Sequence, residues 1–398
     1  MRILIVHNYY QQHGGEDTVF EAETQLLKEK GHEVITYTTS NKEIPSNKVK
    51  LAADTVWSFE QRKSLRELLK KEKPDVAHFH NTFMKISPSA YYACKEAGVP
   101  VVQSLHNPRT LCPAGSLRRN GKVCELCVKK TFAWPGIRYG CYRNSRSATA
   151  TVATMLAFHK LIGTWRNTVD KYIVFTEFYR KKFAESGVFD PDQLVIKPHF
   201  IAPDPKPRPS KELGSYALFI GRLDPEKGVS TMLKAWKELP HIPLKIRGGG
   251  KMQPELDQFR KENPSHQIES VGRLSREDLI SLMKGARFLV WPSEGYYETF
   301  GLVAADSLAC GVPVIAARTG VLEENVIENY SGLHFRPGDS LDLREKVVRL
   351  WESPSLVEEL GQNARQQYEE RFTPEKNYEQ LIEIYQSVIQ SKVNTKVV

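Results

Sequence analysis

The sequence predicts an α/β protein built from two doubly wound domains, each a parallel sheet covered by helices. Three observations carry this expectation. Apolar, β-branched runs alternate with segments of helical periodicity along the whole chain. The runs are continuous, as in Ile3-Leu4-Ile5-Val6, which suits parallel strands buried on both faces. A stretch at 202–211 carries Pro203, Pro205, Pro207 and Pro209 and divides the series in two. Alternate prolines fit neither a helix interior nor a central strand, so this stretch reads as a semi-rigid linker.

In the first half, strands are predicted at 2–7, 33–38, 75–80, 100–105 and 171–176. Helices are predicted at 16–30, 61–71 and 88–97, the last closed by Gly98. In the second half the strands are 216–221, 244–247, 287–292, 313–316 and 332–335. Its helices are 229–238, 254–261, 276–284, 302–309, 342–352 and 355–372. A last helix at 376–391 precedes a polar tail, 392–398, that is expected to fray. The domains are therefore 1–203, with an insertion at about 107–146, then 204–375, and a helix at 376–398 crossing back to the first domain. Two such domains make a cleft, and ligands of open parallel sheets bind beyond the carboxyl ends of the strands.

Composition bounds the function. The chain has 398 residues, with 17 Phe, 16 Tyr and 6 Trp that need a core, which excludes disorder. It holds no run of about 18 apolar residues, and its N-terminal run is too short for a signal peptide. The expected location is cytoplasmic, with at most a peripheral contact at the inner face of the cell membrane. The net charge of +9 is unevenly placed: residues 1–205 hold 30 basic and 20 acidic side chains, and 105–182 hold 15 and 3. Such a field suits nucleic acid, an anionic membrane or a phosphorylated substrate, and charge alone does not choose.

Two segments carry chemistry. In Trp291-Pro292-Ser293, a loop with Glu298, Thr299, Phe300 and Gly301, and a helix from Leu302 to Gly311, the free N–H groups around Gly301, Leu302 and Val303 form an anion site. Gly301 lets a phosphate approach, and Glu298 and Asp306 could each bind hydroxyls of one elongated ligand. In Gly221-Arg222-Leu223-Asp224-Pro225-Glu226-Lys227-Gly228, Arg222 and Lys227 can converge on a diphosphate at a strand end.

These residues resemble those of the retaining glycosyltransferases of family 4, which have the GT-B architecture of two Rossmann-like domains. The pattern is a strand ending in G-R, then E-K-G, then P-S-x-x-E-x-F-G with a second acid eight residues after the first. The chain matches it with Gly221-Arg222, Glu226-Lys227-Gly228, Pro292-Ser293, Glu298 to Gly301 and Asp306. It departs from it in a longer spacer between Ser293 and Glu298 and in Asp306 where the family usually has Glu. Gly14-Gly15-Glu16, Ser104-Leu105-His106 and Arg371-Phe372-Thr373 extend the resemblance over nearly the whole chain.

The resemblance implies a hexosyltransferase-type enzyme acting with retention, metal-independent in catalysis, on a nucleoside-diphosphate sugar. It implies that Arg222 and Lys227 hold the pyrophosphate, that Glu298 contacts the transferred sugar and that Asp306 grips the ribose. Backbone near Arg273 and Leu274 would contact the base, with Gly15, Phe300, Gly301 and Leu302 also on the donor. His106 would lie beside the donor sugar. For His7 and His80, also at strand ends, a structural role is as good a reading. Polysaccharide or lipid-linked glycan assembly is the expected task.

Four of six cysteines fall in one stretch, as Cys112-x11-Cys124-x2-Cys127-x13-Cys141. This reads as a structural zinc site of four thiolates, with redox pairing or free thiols as alternatives. The insertion also carries Arg118, Arg119 and Trp134, which with Glu16 are acceptor-side candidates. A basic, aromatic lobe of this kind would dock a lipid-linked or anionic glycan acceptor at an anionic membrane. Two alternatives remain: a GT-B sugar-nucleotide epimerase-like enzyme, and a basic zinc protein that binds nucleic acid. The latter leaves Arg222, Lys227, Glu298 and the linker unexplained, so no nucleic-acid partner is expected.

Overall fold

A computed structural model describes residues 1–42, 47–209, 212–295 and 298–397. The end of the linker, at 210–211, and Tyr296 and Tyr297 in the motif loop lie outside the described residues. The chain forms two compact units: Met1–Arg119 with Cys124–Lys197 and Asn377–Val398, and Asn120–Val123 with Pro198–Lys376.

The first unit holds six parallel strands: β1 (Arg2–Tyr9), β2 (Glu33–Ser40), β3 (Val76–Asn81), β4 (Val101–Ser104), β5 (Lys171–Val174) and β6 (Leu194–Ile196). Their spatial order is β2-β1-β3-β4-β5-β6. Every residue of β3 and β4 is buried, as two-sided helical cover demands. The order reverses between β1 and β3, so the loops after these two strands diverge and leave room for a ligand.

The second unit repeats the plan with β7 (Tyr216–Ile220), β8 (Leu244–Arg247), β9 (Ile268–Val271), β10 (Ala286–Trp291), β11 (Val314–Ala317) and β12 (Gly332–Phe335). Its order is β9-β8-β7-β10-β11-β12, which reverses between β7 and β10. Those are the strands that end in Gly221-Arg222 and in Pro292-Ser293.

The structure adds elements that periodicity did not reveal. They include helices Lys48–Val56, Trp134–Tyr139, Glu177–Ala184 and Val321–Asn325 and the strands β6 and β9. Both strands are edge strands of only three and four residues, so no long run announced them. The C-terminal segment also differs: the expected frayed tail is helical, in a helix running Pro374–Val397. No glycine or proline interrupts it after Pro374, and Leu381, Ile384, Tyr385 and Val388 are buried at helical spacing. Lys392 pairs with Asp170 at 3.0 Å, which holds the last turns to the first unit.

Candidate active site

In the second unit the charged groups gather where the sheet order reverses. Arg222 leaves β7, and its guanidinium pairs with Asp224 at 2.8 Å and approaches Glu226 at 3.5 Å. A 3-10 turn, Pro225–Lys227, aims Lys227 at the loop after β10, where its ammonium pairs with Glu298. The two loops are also tied through backbone, Glu294 N–H donating to Glu226 O at 2.8 Å. Gly228 (φ +68°) packs so closely on Pro292 that a Cβ there would lie 2.0 Å from its carbonyl oxygen. Lys227 and Glu298 thus join the two strand ends, with Arg222 held in the same loop by Asp224 and Glu226.

The helix Leu302–Ala309 starts directly after Gly301, which has φ +92°. A Cβ on Gly301 would sit 2.1 Å from the Trp291 ring, so the motif needs glycine for both backbone and space. The first N–H groups of this helix lack intrahelical acceptors and carry the positive end of its dipole. Phe300, in contrast, turns its side chain into the core, 2 % exposed and edge-on to His199 and Phe372. Its side chain is a packing residue, and only its backbone is left for a ligand.

Asp306 is held differently from the expectation. Its carboxylate takes both guanidinium nitrogens of Arg276, one at 2.8 Å. Burial pushes its carboxyl up, and Arg276 opposes this. Arg276 opens the helix Arg276–Lys284, just after Arg273 and Leu274 at the end of β9, so any ribose contact at Asp306 is shared with a cation. Sequence reading missed Arg276, which belongs to no short motif. It also missed Gly248-Gly249-Gly250 after β8, whose backbone shapes the Arg222 loop. Gly249 O accepts from Leu223 N at 3.0 Å, and a Cβ on Gly250 would lie 2.5 Å from Leu223 O. Three successive glycines after a strand were the available signal.

In the first unit a cavity opens at the ends of β3 and β4, lined by Glu16, His80, Asn81, His106, Asn107 and Arg109, among others. Gly15 begins the helix Gly15–Glu29, anchored by Gly14 N–H donating to Asp17 Oδ2 at 2.9 Å. Asp17 in turn holds His7 Nε2 at 2.7 Å, so His7 is a buried structural partner of the glycine loop. Glu16 accepts from Tyr10 Oη at 2.7 Å and lies 3.4 Å from Asn107 Nδ2. Burial raises its carboxyl to about 8, so it is mostly protonated at neutral pH.

His106 stacks on His80, with Nε2 to Nδ1 at 3.0 Å. The other face of His80 meets Glu23 Oε2 at 3.4 Å, and Glu23 pairs with the buried ammonium of Lys197. Burial, followed by the neighbouring His78, His106 and His7, holds the His80 imidazole well below its usual range. His80 Nε2 and Glu23 Oε2 face each other without a hydrogen bond, so the firm contact of the His80 ring is the one from Nδ1 to His106. Glu23, His78 and His80 place ligand atoms within 4.8 Å of one another. Both His78 nitrogens are already bonded, to Tyr385 Oη at 2.7 Å and Ser104 Oγ at 2.9 Å. With Lys197 also on Glu23, the cluster is a hydrogen-bonded network and a poor cation site. Sequence reading missed Glu23 and Lys197. The signal was an acid in the apolar stripe Val19, Phe20, Glu23, Leu27.

Arg118, Arg119 and Trp134 do not join this cavity. Arg118 and Arg119 line a separate one with Cys112, Cys124, Cys127 and Cys141. Trp134 is 52 % exposed, with Lys130 Nζ 5.6 Å from its ring centroid. Thus the structure brings Glu16 beside His106 but leaves the other acceptor-side candidates in the cysteine lobe. Among the described residues, no helix is long and apolar enough to cross a membrane.

A two-domain α/β chain with a basic and acidic cluster at each sheet reversal defines a class, and comparison with known proteins places the chain in it. The family model for Glycosyltransferase Family 4 matches residues 13–205, and that for Glycosyl transferases group 1 matches residues 202–367. The chain belongs to these family 4, group 1 glycosyltransferases and has their GT-B fold. It is 33 % identical over 305 residues to the glycogen synthase of Mycobacterium tuberculosis, covering 75 % of this chain and 66 % of that one. It is 36 % identical over 162 residues to an uncharacterized glycosyltransferase of Methanocaldococcus jannaschii, covering 41 % and 45 %. The matches thus span about half to two thirds of the curated relatives' length. Among solved structures, HepE of Anabaena in complex with UDP superposes with a TM-score of 0.67 at 18 % identity, covering 97 % of this chain and 100 % of that one. Sucrose-phosphate synthase of Thermosynechococcus elongatus gives 0.71 at 18 % identity, covering 98 % and 99 %. These two likenesses concern the fold.

Proposed function

We propose that the chain transfers a hexosyl group, with retention, from a nucleoside-diphosphate sugar to a hydroxyl acceptor in polysaccharide or lipid-linked glycan assembly. One observation carries this reading: Lys227 pairs with Glu298 just before the helix Leu302–Ala309, and Arg222 leaves the neighbouring strand end, where the order of the second sheet reverses. That is a site for a diphosphate with a hydroxyl-bearing group beside it. The relatives named for glycogen synthase and O-antigen mannosyltransferase support the reaction class, and HepE's complexes with UDP and UDP-glucose support the donor class.

In this reading Arg222 and Lys227 stabilise the negative charge that grows on the departing diphosphate. The bond from the anomeric carbon to the phosphate oxygen breaks, and the acceptor oxygen bonds to that carbon on the same face. The leaving phosphate oxygen takes the acceptor proton, so no side chain need be a strong base. Glu298 holds hydroxyls of the sugar, and His106 supports its cationic transition state. A protonated Glu16 donates to and accepts from the acceptor hydroxyl instead of ionising it. Catalysis in this scheme uses no divalent metal.

The basic, aromatic lobe fits an anionic acceptor or membrane: Phe132, Trp134 and Tyr139 are exposed among Lys129, Lys130 and Arg138. Co-sedimentation that ignored the anionic lipid content of vesicles would remove this part of the proposal. The reaction itself is tested with a panel of nucleotide sugars and simple glycan acceptors. The expected result is release of nucleoside diphosphate from one donor, reduced about 100-fold or more in Arg222→Ala. Release that the variant leaves unchanged would sink the assignment of Arg222.

A further inference from the structure

We propose that Cys112, Cys124, Cys127 and Cys141 hold one structural zinc ion, with Arg118 and Arg119 offsetting the charge of the four-thiolate site. The observation is their convergence: all four cysteines and both arginines line a single cavity in the insertion, with Pro113, Leu117 and Gly136. The inference is independent of the reaction proposed above.

Each cysteine arrives from a separate piece of local structure. Cys112 N–H donates to Pro108 O at 2.9 Å at the end of a 3-10 turn. Cys124 N–H donates to Leu117 O at 2.8 Å. Cys127 lies within a turn in which Val128 N–H meets Glu125 O at 3.1 Å and Lys130 N–H meets Cys127 O at 3.1 Å. Cys141 N–H donates to Gly136 O at 3.0 Å, just past the helix Trp134–Tyr139. Gly136 is suited to this crowding, because a Cβ there would lie 3.3 Å from Pro113 Cγ.

The lobe needs such a centre. Its regular elements are two-residue strands and one six-residue helix. It buries few apolar side chains, among them Leu111, Leu117 and Val128, while Leu126, Phe132 and Trp134 stay exposed. A segment of this size rarely holds itself by burial alone, and a metal or disulfide is the usual remedy. Here all six cysteines are free thiols. Cys94 and Cys310, outside the lobe, are simply buried.

The ligand set selects the metal. Four soft thiolates in a tetrahedral array suit zinc at sulfur distances of about 2.3 Å and leave no open position, so the ion staples and does not catalyse. Among the described residues no three of these sulfurs lie within 4.8 Å of one another. Thiols have no attraction that would draw them closer, and contraction onto an ion with release of four protons supplies it. A bare zinc with four thiolates carries a net negative charge. Arg119, seated over the Tyr139 ring at 4.0 Å, is placed to balance it together with Arg118.

Elemental analysis of the full chain, purified without chelator, tests the proposal. About one zinc per chain is expected in the wild type, and almost none in Cys124→Ser. To separate metal loss from unfolding of that variant, the wild type is also stripped with a chelator and titrated with Co²⁺. Saturation near one equivalent, with the absorption of a tetrahedral four-sulfur site, supports the assignment. Almost no zinc, iron in its place, disulfides among the four cysteines, or Co²⁺ binding without that spectrum would overturn it.

Discussion

At the scale of single residues, His106 gains its meaning from what stands behind it. A solvent-facing imidazole exchanges tautomers freely, whereas His106 is stacked on His80 and bonded to it at 3.0 Å. His80 Nε2 stands 3.4 Å from Glu23, which pairs with Lys197. In the proposed reaction His80 would act as a positioning residue that holds His106 through their 3.0 Å contact. Replacing His80 by Leu should lower kcat about 10-fold with little change in KM. His80→Asn keeps an amide oxygen near the Nδ1 position and should restore most of that loss. Equal kcat values for the two variants would show that His80 only fills space. The residue scale is also where sequence reading was weakest. Arg222, Lys227 and Glu298 were legible because each closes a short motif at a strand end. Glu23, Lys197 and Arg276 were not, because their partners Lys197, Glu23 and Asp306 lie 174, 174 and 30 residues away.

At the scale of elements, most strands and helices were legible because continuous apolar runs and 3.6-residue stripes report burial directly. Leu244–Arg247, Arg276–Lys284 and Leu302–Ala309 begin and end where the pattern placed them. The edge strands Leu194–Ile196 and Ile268–Val271 escaped because an edge buries too little to leave a run. The strand–loop–helix unit around Gly301 shows why a motif glycine is a structural necessity as well as a binding feature. At φ +92° a Cβ costs about 1–2 kcal/mol, and here it also strikes the Trp291 ring. Gly301→Ala should therefore lower the melting temperature by roughly 2–8 °C. It should also weaken nucleoside-diphosphate binding, since Trp291 or the Leu302 helix must shift. Calorimetric titration with a nucleoside diphosphate, beside a thermal melt, separates the two effects. A variant that melts and binds like the wild type would show that the turn tolerates a side chain.

At the scale of the whole molecule, the two units differ in how many groups burial shifts, and pH should part them. The first unit buries His7, His78, His80 and His159 as neutral rings, and burial lowers all four, His159 to about 4. In the unfolded chain these histidines titrate near 6.5, so the unfolded state binds more protons below that pH. Stability is lost as pH falls from about 6.5 toward 4, with roughly 3 kcal/mol at stake for His159 alone. Glu16 runs the other way. Its carboxyl is raised to about 8, so the folded state holds a proton that the unfolded state releases near 4.5. That contribution fades as pH rises toward 8. The second unit carries fewer such groups: His334 is lowered by burial, and Asp204, paired with Arg365 at 2.7 Å, is held below the usual carboxylate range. The first unit should therefore be most stable between about pH 6 and 7 and should melt before the second on either side. Hydrogen exchange followed by peptide from pH 5 to 9 reads each unit separately. Glu16→Gln, neutral at every pH, should flatten the alkaline limb and steepen the acid limb above about pH 4.5, where Glu16 opposes the histidines. An alkaline limb that Glu16→Gln leaves unchanged would show that the proton on Glu16 is not what stabilises this unit.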